Sequence, residues 1–349
     1  MNVRDKRAYL GNISQVFDVK DYRYIGGRAD GVRATDVTTS GGLSVSVLAD
    51  RAMDFASIRY RGVNMGFVTP VGVSTPNRYE SDAFGFLRNF EAGFLTTCGL
   101  TTMGNPSEDN GESLGIHGRI SNTPAEEYAV STGTEHGVPY AELSGKMRQV
   151  RFMGENLLWT RRIRIDDAAT VISFTDTVEN DSFFESPFMV LYHFNLGYPF
   201  LSPATQIYLP SLRVQERTPY AKQGLEGWSH ADEPSDSVEE MCFYHQMQKN
   251  ADGRVGYAAY NEELGIGCCI EYDGNELGWF VEWKCMQSGN YVMGLEPANA
   301  CLEGRVEARK NGSLSVLKPF EKRSLPFRIE FFEGKERLSE LCSKYSLHQ

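Results

Sequence analysis

Between Leu43 and Phe332 the chain returns repeatedly to one pattern, apolar and polar residues in alternation. Leu43, Val45 and Val47 alternate with Ser44 and Ser46, and the run from Trp159 to Ile165 behaves in the same way. A period of two sends one set of side chains into a core and the other toward solvent, so each run reads as a half-buried strand. Asp166-Asp167-Ala168-Ala169 reads as a hairpin turn, after which Ile172, Phe174 and Val178 face one way and Ser173, Thr175 and Thr177 the other. Further strands are predicted over 188–194, 254–260, 265–272, 280–285, 290–295 and 325–332. Helical spacing is confined to 334–347, where Leu338, Leu341 and Tyr345 recur. The polar stretch 226–240 reads as a long surface loop. No repeat of roughly 20–50 residues appears, and no low-complexity linker divides the chain. The expectation is an all-β fold with little helix: one large antiparallel β-sandwich domain spanning 1–349.

The net charge of −11 argues against a surface that tracks phosphates, so no nucleic-acid partner is expected. No stretch approaches the ~18 apolar residues of a membrane span. The start, Met1 to Arg7, has no apolar run behind it, so no secretory signal is expected. Seven cysteines at scattered spacing, with Cys268 and Cys269 adjacent and no Cys-x-x-Cys pair, read as reduced thiols of a cytoplasmic protein rather than a zinc site. There is no GxSxG elbow and no P-loop, and Gly26-Gly27 lacks the dinucleotide fingerprint.

Three residues stand out for acid–base chemistry. In Val292-Met293-Gly294-Leu295-Glu296-Pro297, the carboxylate of Glu296 closes an apolar strand, where a charge is costly unless it is partnered. Pro297 cannot donate to a ladder, which predicts a strand end or a sheet edge. The competing reading for Glu296 is a structural ion pair with Arg305 or Arg309. His193 shares a strand face with Met189, Leu191 and Asn195, and its competing reading is a buried histidine bonded to a carbonyl. His117 lies between Gly115 and Gly118, which let a ligand approach the backbone, although exposed loop histidines are equally common. One carboxylate and two imidazoles suffice for proton transfer without a cofactor. Arg88 and Arg119 are candidate hydroxyl or anion donors. Trp283, Trp279 and Trp228 could stack on a sugar ring or simply fill a β core. His230, Asp232, Glu240 and His245 surround the long loop, at a spacing that matches no strong metal signature.

At these residues the chain resembles the aldose 1-epimerase (galactose mutarotase) superfamily, and more closely an aldose-1-epimerase-like branch with a domain of unknown function. Tyr192-His193-Phe194-Asn195-Leu196-Gly197 is similar to the segment around that family's general-acid histidine. Gly294-Leu295-Glu296-Pro297 resembles the segment around its catalytic glutamate, and His117-Gly118 the segment around its first histidine. Leu317-Lys318-Pro319-Phe320-Glu321 looks like its late Leu-x-Pro-Gly-Glu turn, with Phe320 in place of glycine. The resemblance implies a β-supersandwich and interconversion of the anomers of a free sugar. It casts Glu296 as base toward the anomeric hydroxyl, His193 as acid toward the ring oxygen and His117 as its hydrogen-bonding neighbour. Arg88, Arg119, Asn195, Asp232, Glu240, Trp283 and Asn299 are the candidate sugar contacts, with Asp232 and Glu240 chosen only by region.

The resulting expectation is a cofactor-free, metal-free isomerase acting on a small sugar or sugar derivative. The alternatives are an isomerase or epimerase working at another carbon, a non-catalytic carbohydrate-binding protein, and a metal enzyme built on His117, His193 and Glu296. The sequence does not fix the oligomeric state; a homodimer stands beside the monomer.

Overall fold

The computed structural model describes residues 8–349; Met1 to Arg7, on which the expectation of no signal segment rests, lie outside them. Antiparallel sheet dominates. An eight-stranded sheet runs in the order Glu126–Glu135, Val138–Val150, Asn156–Asp166, Val171–Asn180, Lys322–Glu333, Ile266–Asp273, Arg254–Asn261, Thr205–Tyr208. A six-stranded sheet runs Ser211–Glu216, Met241–Met247, Trp279–Gln287, Asn290–Ala298, Met189–Gly197, Leu95–Leu100. A five-stranded sheet holds Asp18–Arg23, Arg33–Thr38, Leu43–Leu48, Asp54–Tyr60 and Val63–Asn64. The alternating runs of the sequence all became strands, and the C-terminal helix spans Gly334–Tyr345, with Leu338, Leu341 and Tyr345 buried against Tyr260 and Phe332.

The main core draws on all three sheets, from Val45 and Phe55 through Phe174 and Phe194 to Phe327. At its centre the alternation of 159–165 places a charge, Arg161, fully inside. Its guanidinium donates to both oxygens of Asp176 at 2.7 Å, to Asp54 at 2.7 Å and to the Thr97 hydroxyl at 2.9 Å. The Tyr192 hydroxyl donates to Asp176 at 2.7 Å. A buried cation is tolerable only with such complete pairing.

The six-stranded sheet has two faces. Val190, Tyr192 and Phe194 enter the main core, whereas Met189 and Leu191 pack under a smaller cluster with Phe86, Phe90, Cys98, Ala298 and Leu302. His193 and Asn195 therefore lie on the second face. Pro297 is the penultimate residue of its strand, which answers to the strand-end alternative; the strand itself is interior and not at a sheet edge. The pairing with Met189–Gly197 passes from Leu191↔Ala298 directly to Phe194↔Leu295, so the proline sits where the ladder is interrupted. Phe320 adopts φ 61°, the left-handed conformation usual for glycine, and its ring meets Phe183 edge-on at 5.1 Å. All seven cysteines are free. Among the described residues no helix is long and apolar enough to cross a membrane.

Candidate active site

The antiparallel register sets His193 at the level of Glu296 on the adjoining strand. Their Nε2 and Oε1 atoms are 3.2 Å apart, and the residues are only 5% and 1% exposed. Two residues before Glu296 on the same face is Gly294. A Cβ there would lie 2.5 Å from Glu296 Oε1 and 3.2 Å from His193 Cε1, so only glycine leaves the carboxylate its place. Trp283, paired with Gly294 across the next strand, meets the His193 ring edge-on at 5.4 Å.

His117 arrives from a loop. It holds φ 59°, with its N–H donating to the Gly104 carbonyl and its own carbonyl accepting from Gly99, both at 3.0 Å. Gly118 must be small, because a Cβ would stand 2.3 Å from the Gly99 carbonyl oxygen. The turn brings the His117 ring to 5.8 Å from that of His193, nearly perpendicular. Phe86 lies 5.4 Å from His117 and Phe90 5.4 Å from His193, and the two phenyl rings stack on each other at 5.2 Å.

These groups line a cavity of about 220 Å³. Burial pushes the Glu296 carboxyl well above the usual carboxylate range; Arg217 opposes this and Glu240 adds to it. Burial lowers His193 to about 4. Burial, then the neighbouring His193 and Arg217, lower His117 to about 3. Among the described residues His117 Nδ1, His193 Nδ1 and Glu296 Oε1 have no hydrogen-bond partner; the His193–Glu296 approach is close but not aligned as a hydrogen bond. Buried polar atoms are nearly always bonded, so a polar ligand would gain most at these three.

Of the remaining sequence candidates, Trp283 and Glu240 line the cavity, joined by a 2.7 Å hydrogen bond from the indole N–H. The other five do not line it. Arg88 is exposed and ion-paired with Glu80 at 3.3 Å. Arg119 is exposed, its backbone N–H spent on Gly99. Asp232 pairs with Lys284 at 2.7 Å, away from the site. Asn195 is buried, its amide donating to the carbonyls of His193 and Ala92. Asn299 accepts from the Val190 N–H and donates to the Phe188 carbonyl, which ties its strand to that of His193. Arg305 and Arg309 bind Asp109 and not Glu296. His245 is buried between Ser211 and Glu282, while His230 pairs with the exposed Asp232 at 3.4 Å. Among the described residues no group of three or more His, Cys, Asp and Glu side chains is placed to hold a metal ion.

Arg217 is the charged cavity residue that sequence reasoning missed. Its Nε and Nη2 donate to Glu303 at 3.2 and 3.3 Å, and Nη2 also to Asn105 at 3.0 Å. Nothing in the local sequence separates it from Arg213, which lies in the strand Ser211–Glu216 that ends just before it.

The same architecture recurs in solved structures of low sequence identity. A "putative aldose 1-epimerase" from Klebsiella pneumoniae superposes with a TM-score of 0.89 at 22% identity, over 95% of this chain and 87% of its own. A galactose mutarotase-like protein from Clostridium acetobutylicum gives 0.63 at 13% identity, over 91% and 99%. A galactose 1-epimerase from Lactobacillus acidophilus gives 0.57 at 12%, over 91% and 99%. The fold is thus that of the galactose mutarotase-like proteins. No curated protein matches the chain by sequence. A family model does match, over residues 29–331, and the chain belongs to that family, described as a domain of unknown function (DUF4432).

Proposed function

We propose that the protein is a cofactor-free sugar 1-epimerase that interconverts the anomers of a free monosaccharide by general acid–base catalysis. The observation that carries the reading is the His193–Glu296 pair, 3.2 Å apart and facing a small cavity with His117 beside it. Burial favours the neutral pair, carboxyl protonated and imidazole free. Passing that one proton to His193 produces a carboxylate and an imidazolium side by side. The carboxylate then takes the proton of the anomeric hydroxyl while the imidazolium protonates the ring oxygen, and the ring opens. Rotation about the first carbon–carbon bond and reversal of both transfers give the other anomer. His117 bonds the ring oxygen and shares its developing charge. Each placed acid or base contributes roughly 10²–10⁴ in rate, and two suffice for a reaction that already proceeds slowly in water.

Saturation-transfer NMR on a panel of aldoses, deoxy sugars and sugar acids tests this. At least one sugar should exchange anomers faster than in buffer, and Glu296→Gln should abolish the excess. No acceleration for any sugar, or an unaffected Glu296→Gln variant, would refute it.

A further inference from the structure

We infer that the cavity selects a neutral 6-deoxyhexose, with a methyl group as its exocyclic carbon, over the parent hexose and over the sugar acid. The inference rests on the orientation given by the anomer-exchange reading, in which the two histidines face the ring oxygen. On a pyranose, the ring carbon beyond that oxygen carries the exocyclic group, so this group lies beside the imidazoles. Apart from Glu296 and the Trp283 indole, what borders the imidazoles is apolar. Phe86 stands against His117 and Phe90 against His193, both buried, and neither offers a hydrogen bond. A methyl group gains by burial there, whereas a hydroxymethyl oxygen would lose water without a replacement.

The rest of the lining points the same way. Ile116, Leu302 and Cys242 add apolar wall. The polar side chains are largely committed already. Two of the Arg217 nitrogens are spent on Glu303, one of them also on the Asn105 side-chain oxygen, and the Trp283 N–H is spent on Glu240. Outside the acid–base groups this leaves Arg217 Nη1, the Asn105 amide nitrogen and one Glu240 oxygen without a hydrogen bond among the described residues, fewer than the hydroxyls a parent hexose carries beyond its anomeric carbon. Charge disfavours the acid: the Glu240 carboxylate lines the space, and Arg217, the guanidinium lining it among the described residues, is already paired with Glu303.

The test is calorimetric affinity for matched sugars on the full chain, with anomer-exchange rates measured separately. The probes are D-fucose, D-galactose and D-galacturonate in one series, and L-rhamnose and L-mannose in another. In the series that binds, the deoxy sugar should bind at least roughly tenfold more tightly than its parent, with the uronate weakest. A parent hexose binding as tightly as its deoxy counterpart, a preferred uronate, or no binding by any of them overturns the inference. The two readings fail separately. Accelerated exchange without a deoxy preference removes the selectivity and keeps the catalyst. A deoxy preference without acceleration keeps the selectivity and removes the catalyst.

Discussion

Gly294 and Glu296 occupy the same face of one strand, and a methyl group on the first would stand 2.5 Å from Oε1 of the second. The carboxylate therefore has its position because the residue two before it has no side chain. Gly294→Ala should displace Glu296, or the Trp283 Cβ and the His193 ring that also crowd that point. Displacement by about 1 Å costs on the order of 100-fold in rate, and overpacking costs about 1–3 kcal/mol in stability. Exchange kinetics and thermal unfolding of the variant check both.

Glu296 is held against its preference for charge. Its folded-state carboxyl titrates above the unfolded value of 4.5, so its stabilising share is present below pH 4.5 and is lost as pH rises through the folded value. Glu296→Gln should consequently gain stability over the wild type, by about 0.5–2 kcal/mol near neutrality, and the gain should shrink toward pH 4. Parallel denaturant titrations at several pH values measure it.

The histidines act in the opposite sense. His117 and His193 titrate near 3 and 4 in the folded state, against 6.5 unfolded. The unfolded chain takes up protons first on acidification, so their contribution is full above pH 6.5 and falls away down to about 3. Replacing both with asparagine should flatten the pH dependence of stability in that window by about 1–3 kcal/mol. Unfolding midpoints at pH 7 and pH 4.5 provide the readout.

Arg217 is braced by Glu303 and Asn105 with one nitrogen left over. If that nitrogen holds a sugar hydroxyl equally in ground and transition states, Arg217→Met should raise KM about 10-fold and leave kcat within roughly threefold. A loss confined to kcat would assign the residue to the chemistry instead.

Arg161 tests the core. Arg161→Met leaves Asp54 and Asp176 buried without their cation, and stability should fall by about 3–5 kcal/mol. Arg161→Lys, which keeps the charge but not the planar fork, should lose less. Denaturant midpoints of the two variants settle the order.

The fold was legible because strand periodicity is local: Leu43–Leu48 or Trp279–Gln287 announces itself in a handful of residues. The two imidazoles and the carboxylate were legible because a charge ending an apolar strand and a histidine between glycines are locally costly. The cavity wall was not. Phe86 and Phe90 come from a short 3₁₀ turn and the loop after it, and Arg217 from just past a strand end, with nothing in their own segments to mark them. Arg88 failed for a related reason. One turn of that segment buries Phe86 and turns Arg88 outward, a choice made by packing. Asn299 and Asn195 looked like sugar ligands, but their amides serve neighbouring backbone.

The first of those amides gains meaning beside Pro297. The ladder between the His193 and Glu296 strands lacks its rungs at the level of the pair; Asn299 ties the strands on one side of the gap, and on the other the ladder resumes at Phe194↔Leu295. The two strands are thus pinned by a side chain at one end of a short seam instead of being stitched along it. Amide hydrogens flanking that seam should exchange with solvent at rates set by the pin, so removing the Asn299 amide would loosen the jaws of the site while the surrounding sheet stays closed.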